Sequence, residues 1–280
     1  MTLWARSLLL ASLVSGALVD SAGAQGILVA PHAVVVDPQT RTGWLQLLNT
    51  GTEPAEVTIE AFFGYPVTDS TGQLTLRRVE QPDSSLPSAV AWIRAFPRRT
   101  VIPAQGRQTV RLMVTPPANT PPGEYWARLA ITAQAGAVPL ASQDTSQVIS
   151  VGLNVQIRTV IALLYRRGTV TTGVTLSDLR AGVEQDSLTI RARLTRQGNG
   201  AYIGNVRGTL VNAGGKEVAR FETPLGVYYQ LDPRFSLPVA GLPRGEYRLR
   251  LEAATDRNDL PPDQLLRAPT VRDSIVVLLR

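Results

Sequence analysis

The chain has 280 residues, 44% hydrophobic and 18% charged, with a formal net charge of +6. That is enough for one large or two small domains with buried cores, and it is not a disordered composition. Cysteine is absent, His32 is the only histidine, and Lys216 is the only lysine among 28 basic residues. This excludes disulfides, thiol nucleophiles, thiolate zinc sites and multi-histidine metal sites within one chain. No cofactor and no metal site is expected.

In chain order, residues 1–24 read as an export signal. Arg6 supplies the positive start, Leu8 to Val19 a short apolar run, and Ala22-Gly23-Ala24 a small-x-small cleavage pattern. The run is short for a membrane span, and no later segment is apolar enough to cross a bilayer. An uncleaved anchor is the alternative. In a cell with two membranes the exported chain is expected to be periplasmic, with no stable membrane insertion.

Short alternating runs follow, separated by Gly, Pro, Asn and Asp. In the first half they are Val34–Val36, Gly43–Asn49, Ala55–Phe63, Gln73–Val79, Thr109–Val114 and Tyr125–Ala133. In the second they are Val174–Leu179, Ser187–Arg196, Val206–Val211, Glu217–Glu222, Tyr247–Ala253 and Ser274–Leu279. No stretch holds a helical period. This is the pattern of an all-β chain with two immunoglobulin-like β-sandwich domains in tandem. The expected division is 25–165 and 166–280. Pro122-Gly123-Glu124-Tyr125 and Arg244-Gly245-Glu246-Tyr247 each lead into a strand near the end of a half. Both tyrosines stand where a sandwich places its tyrosine corner.

Residues 148–167 carry most of the functional reading. Val151, Leu153, Val155 and Ile157 alternate with Gly152, Asn154, Gln156 and Arg158. In a strand the first four share one face, and at about 3.3 Å per residue they span roughly 20 Å. The run then becomes continuously apolar from Val160 to Leu164, which predicts burial on both faces where two domains meet. The plain alternative is an ordinary last strand, half buried in its own core.

Three stretches resemble the periplasmic chaperones of the chaperone–usher pilus pathway. They are Ile161-Ala162-Leu163-Leu164-Tyr165-Arg166-Arg167, the run from Phe96-Pro97 through Pro103-Ala104-Gln105-Gly106 to Gln108-Thr109-Val110-Arg111, and the start Ala33-Val34-Val35-Val36-Asp37. The resemblance covers roughly residues 27–167. It implies a boomerang arrangement of the two sandwiches and a non-catalytic role. The last strand of the first domain would be donated to fibre subunits that lack a strand, through Val151, Leu153, Val155 and Ile157. The implied partners are pilus or fibre subunits and an outer-membrane usher. The small-residue stretch 133–143 would be the loop before that strand. The family also anchors a subunit carboxylate with two basic residues, but the matching positions here hold or adjoin His32 and Ala162. Arg158 and Arg166 share the parity of Ala162 at about 13 Å on either side. His32, Arg158 and Arg166 are therefore the candidate anchors.

Two other classes compete. One is a structural or adhesive envelope protein whose 151–157 strand is satisfied internally. The other is an enzyme using Glu184/Asp186 or Asp256/Asp259, since paired carboxylates can cleave glycosides. Those acids fall in expected turns without a surrounding motif, so no enzyme is expected. The arginines are scattered along alternating strands, which argues against nucleic acid as a partner.

Overall fold

The structure, a computed structural model, describes residues 26–135 and 156–280. Val151, Leu153 and Val155, the 1–24 segment and residues 136–143 of the small-residue stretch lie outside the described residues. Eighteen strands and one 3-10 turn (Val90–Trp92) are found among the described residues.

The first sandwich is built from the chain up to Arg167. One sheet contains β1 (Ile27–Ala30), β3 (Thr42–Asn49), β8 (Arg107–Val114) and β6 (Ile93–Phe96), in that order. The facing sheet runs β2 (Ala33–Val36), β10 (Gln156–Arg167), β9 (Gly123–Ala135), β4 (Ala55–Thr68) and β5 (Leu74–Val79), with β7 (Arg99–Ile102) also on β4. Alternation sets the core: Leu45 and Leu47 of β3, Val110 and Leu112 of β8, and Ile161, Leu163 and Tyr165 of β10 all point between the sheets. Buried Asn49 ties the end of β3 to the loop after β7. Its Nδ2 donates to the carbonyls of Ile102 and Pro103, 3.1 Å each, and its Oδ1 accepts from the Gly51 N–H at 2.9 Å.

The second sandwich has one sheet of β11 (Thr172–Glu184), β12 (Ser187–Gly198) and β15 (Gln230–Leu231), with β16 (Arg234–Pro238) on β12. Its other sheet runs β14 (Glu217–Val227), β13 (Tyr202–Asn212), β17 (Gly245–Ala254) and β18 (Val271–Leu279). Leu188, Ile190, Leu210, Leu249 and Leu251 are in its core. The strands that alternation did not reveal, β1, β6, β7, β15 and β16, have at most five residues each. A run that short shows too few periods to register.

Both halves contain the expected tyrosine corner. Tyr125 Oη donates to the Pro121 carbonyl at 2.9 Å, and Tyr247 Oη to the Pro243 carbonyl at 2.8 Å. Each bond reaches four residues back and fixes the entry to a long strand.

The two sandwiches meet over a third apolar cluster of Phe63, Trp126 and Leu164 with Ala201 and Tyr228. The outer end of β4 and β5 extend this contact as an arm. Thr68 Oγ1 accepts from the Asp232 N–H at 2.9 Å, and the Gly72 carbonyl accepts from the Arg234 N–H at 2.8 Å. Gly72 has φ +87°, and a Cβ there would lie 2.7 Å from that of Arg234, so the tip of the arm requires glycine.

At the centre of the contact is buried Glu124. Its Oε1 accepts from Trp126 Nε1 at 2.9 Å and from the Ala201 N–H at 2.8 Å, while Oε2 accepts from Arg166 Nε at 2.8 Å. Arg166 Nη1 also donates to the Gln264 carbonyl at 2.6 Å. One carboxylate thus satisfies an indole, a guanidinium and a backbone amide of the other sandwich. Its counterpart in the second tyrosine corner, Glu246, is exposed. Glu124→Gln is expected to cost about 3–5 kcal/mol, as for breaking a buried charge pair. Glu246→Gln should cost within about 0.5 kcal/mol. Denaturant midpoints of the two variants beside the unmodified chain check this.

Candidate functional site

The first strand is shared between two sheets, and this opens an edge elsewhere. β1 pairs antiparallel with β3, the chain passes through Pro31-His32, and β2 pairs parallel with β10 on the opposite sheet. Proline has no N–H to leave unpaired at such a crossing. Because β2 has only four residues, it covers β10 from Ala162 to Tyr165 and no further. β9 covers the other side of β10 along its whole length, Gln156 to Arg167. Among the described residues, Gln156–Ile161 therefore has one paired side and one unpaired side. Six residues of open backbone extend about 20 Å.

The open stretch is apolar at its surface. Ile157 and Val160 are each 37% exposed and lie on opposite faces. Ile157 shares parity with the core residues Ile161, Leu163 and Tyr165, and its Cδ1 lies 3.5 Å from the place a Cβ on Gly26 would take. It stands at the rim where the space between the two sheets reaches solvent. The apolar run is buried on both faces only toward its end: Leu163 enters the first core and Leu164 the inter-sandwich cluster. The expectation that Val160 is also buried does not hold. Val160 faces outward, before the second sandwich covers that face.

The structure separates the three candidate anchors. Arg166 is inside the inter-sandwich contact and already holds Glu124. Arg158 is on the outward face, 3.5 Å from Glu60 and over the Phe62 ring at 5.6 Å. His32 is exposed. Asp259 is held below the usual carboxylate range, chiefly by its hydrogen bonds from Arg257.

A fourth cation, Arg128, was not singled out from sequence. It lies on β9 directly opposite Ala162, so the two side chains share a face. Arg128 is 8% exposed and has no carboxylate partner among the described residues. Its Nε donates to the Gly64 carbonyl at 3.1 Å, its guanidinium lies 4.7 Å over the Tyr228 ring, and its Nη2 has no hydrogen-bond partner. Burial pushes the Tyr228 phenol above its ordinary value, with the Arg128 charge acting against that rise. The Ala162 methyl leaves the space that a longer side chain would take from the guanidinium. A signal was present in the sequence: Arg128 is the only charge between Tyr125 and Gln134. Its meaning depends on the β9–β10 register.

Among the described residues no helix is long and apolar enough to cross a membrane, and no cluster of three or more His, Asp or Glu residues could hold a metal ion. No protein-family model matches the chain, and no curated protein matches it. Solved structures similar to it include the YadV chaperone, at 17% identity over 90% of this chain and 99% of that one, TM-score 0.44. The Pseudomonas aeruginosa CupB2 chaperone is 11% identical over 90% of this chain and all of its own, TM-score 0.45. The CsuC–CsuE chaperone–tip adhesion subunit pre-assembly complex from Acinetobacter baumannii is 17% identical over 74% of this chain and 89% of that chain, TM-score 0.40. At such identities and scores the site is read from its own geometry.

The open edge has a direct signature in hydrogen exchange. Alternate amides of Gln156–Ile161 point away from β9 and should exchange rapidly in the isolated protein. The corresponding amides of Ala162–Tyr165 face β2 and should be protected. Uniform protection across 156–165 would show that the edge is covered.

Proposed function

We propose that this chain is a periplasmic chaperone for exported fibre subunits, and that it caps a subunit by lending it the free edge of β10. The observation that carries this reading is the stretch Gln156–Ile161, paired with β9 on one side and unpaired on the other among the described residues. It continues in sequence from Val151, Leu153 and Val155. A subunit lacking one strand exposes an apolar groove and a row of unpaired N–H and C=O groups, both routes to aggregation. A donated strand meets both needs: its backbone pairs with the subunit edge, and its alternating side chains enter the groove. Each large side chain fully buried there contributes about 1.5–3 kcal/mol before ordering costs. The process needs no chemical step and no cofactor. In this reading residues 1–24 direct export, 25–165 bind the subunit, and 166–280 form the second wall of the cleft.

The same reading assigns a subunit's terminal carboxylate to Arg128. Glu124 already occupies Arg166, and Glu60 faces Arg158. Arg128 alone of these arginines combines burial, an unpartnered Nη2 and a place beside Ala162. A carboxylate would supply the anion this guanidinium lacks.

The test is capture of a strand-deficient fibre subunit, unfolded and then diluted into the protein. Leu153→Arg with Ile157→Arg should abolish capture while leaving thermal unfolding unchanged, because Ile157 is already half exposed. Undiminished capture would defeat the edge reading and favour a structural or adhesive envelope protein. Separately, Arg128→Ala should weaken capture by about 10- to 100-fold, the range of a charge-assisted hydrogen bond. Arg128→Lys should restore part of the loss, and a subunit with an amidated C-terminus should bind both forms alike. If Arg128→Ala binds as tightly as the unmodified chain, the anchor lies elsewhere and the edge reading is untouched.

A further inference from the structure

The outward face of the β1–β3–β8–β6 sheet has a composition unlike the rest of the surface. Its central row runs Trp44, Arg111, Phe96 across three neighbouring strands, by direct cross-strand pairing. The next row places Met113 beside Arg94, and Arg107 extends the same face along β8. Trp44, Phe96 and Met113 are 58%, 54% and 41% exposed. Arg94, Arg107 and Arg111 are exposed too.

Charge separates this face from the opposite sheet. There Glu56 pairs with Arg99, and Glu60 with both Arg78 and Arg158. None of the strands β1, β3, β8 and β6 carries an acidic residue. Arg94, Arg107 and Arg111 form no ion pair among the described residues. Three charges of one sign therefore stand unneutralised among exposed aromatic and thioether groups.

We propose that this face docks the protein on an anionic phospholipid bilayer. The shape favours a bilayer over a polypeptide. The residues lie on the pleated face of a sheet, and an added peptide strand would need a sheet edge. The chemistry agrees with the shape. Tryptophan and phenylalanine rings settle at headgroup depth. Arginine forks match phosphate oxygens bidentately. Juxtaposed basic residues are drawn to the negative surface potential of anionic lipid. The contact is peripheral, and β10 lies in the other sheet, so its edge stays free while the protein is docked.

The test is flotation of the full chain with phosphatidylglycerol/phosphatidylcholine vesicles, and with phosphatidylcholine vesicles alone. Residues 1–24 are present in every variant, so any contribution from them is common to all. The unmodified chain should prefer phosphatidylglycerol and lose that preference at high salt. Each arginine removed should weaken binding about fivefold, and R94E/R107E/R111E together at least about 100-fold. W44S/F96S should also release the protein. R220E, a reversal on the second sandwich, should bind like the unmodified chain. All the substituted residues are exposed, so unchanged thermal unfolding shows that the fold survives. The triple variant should still capture a fibre subunit. Equal binding to both vesicle types, or undiminished binding by R94E/R107E/R111E, would overturn the proposal. Recovery of an acidic protein on this face by a chain that ignores the vesicles would overturn it as well.

Discussion

The contact between the sandwiches depends on how one carboxylate is shared. Glu124 receives the Trp126 indole, the Ala201 amide and the Arg166 guanidinium, so its two oxygens join β9, β10 and the segment before β13. A buried anion with fewer partners would be costly, and Arg166, largely covered, would lose its carboxylate without it. The aromatic cluster around it supplies area, but Glu124 supplies direction: a hydrogen bond fails when a partner tilts, and apolar contact tolerates sliding. The arm of β4 and β5 adds a second point of fixation at Gly72, well away from the first. Two separated contacts resist rotation where one would act as a pivot.

The same carboxylate shapes the cleft by what it leaves over. Three arginines lie at or near the junction, Arg128, Arg166 and Arg196, and Glu124 neutralises one of them. Arg196 is placed over Trp126 and Tyr229, and Arg128 over Tyr228, so aromatic faces take the positions that acids would otherwise fill. Such faces attract a cation without cancelling its charge. The junction is therefore compact and still electropositive inside.

Much of this was legible in the sequence where a signal was local and periodic. The long strands follow from alternation, and both tyrosine corners follow from a Gly-Glu-Tyr placed before one. The continuous run Val160–Leu164 pointed to burial on both faces, which holds only at its end, where Leu163 and Leu164 enter different clusters. Other features depend on pairing, which a linear pattern does not encode. Val160 looks like Leu164 in the sequence, and only the reach of the second sandwich separates them. Glu124 and Glu246 occupy the same motif, yet one is a buried hub and the other faces solvent. Arg128 acquires its meaning from Ala162, 34 positions later in the chain, through the register of β9 on β10. The open edge depends on β2 ending after four residues, a matter of where the chain crosses between sheets.

The shortness of β2 also works as a ruler. A strand laid along β10 from its free end runs into Ala33, which already pairs with Ala162, and can pair no further than Ile161. The stop is backbone against backbone, so it does not depend on which side chains the incoming strand carries. Register in a sheet is usually set by side-chain pattern, and a slip of one residue turns every side chain to the wrong face. Here a fixed terminus sets it, and strands of different sequence would all halt at the same step, one residue short of the position facing Arg128.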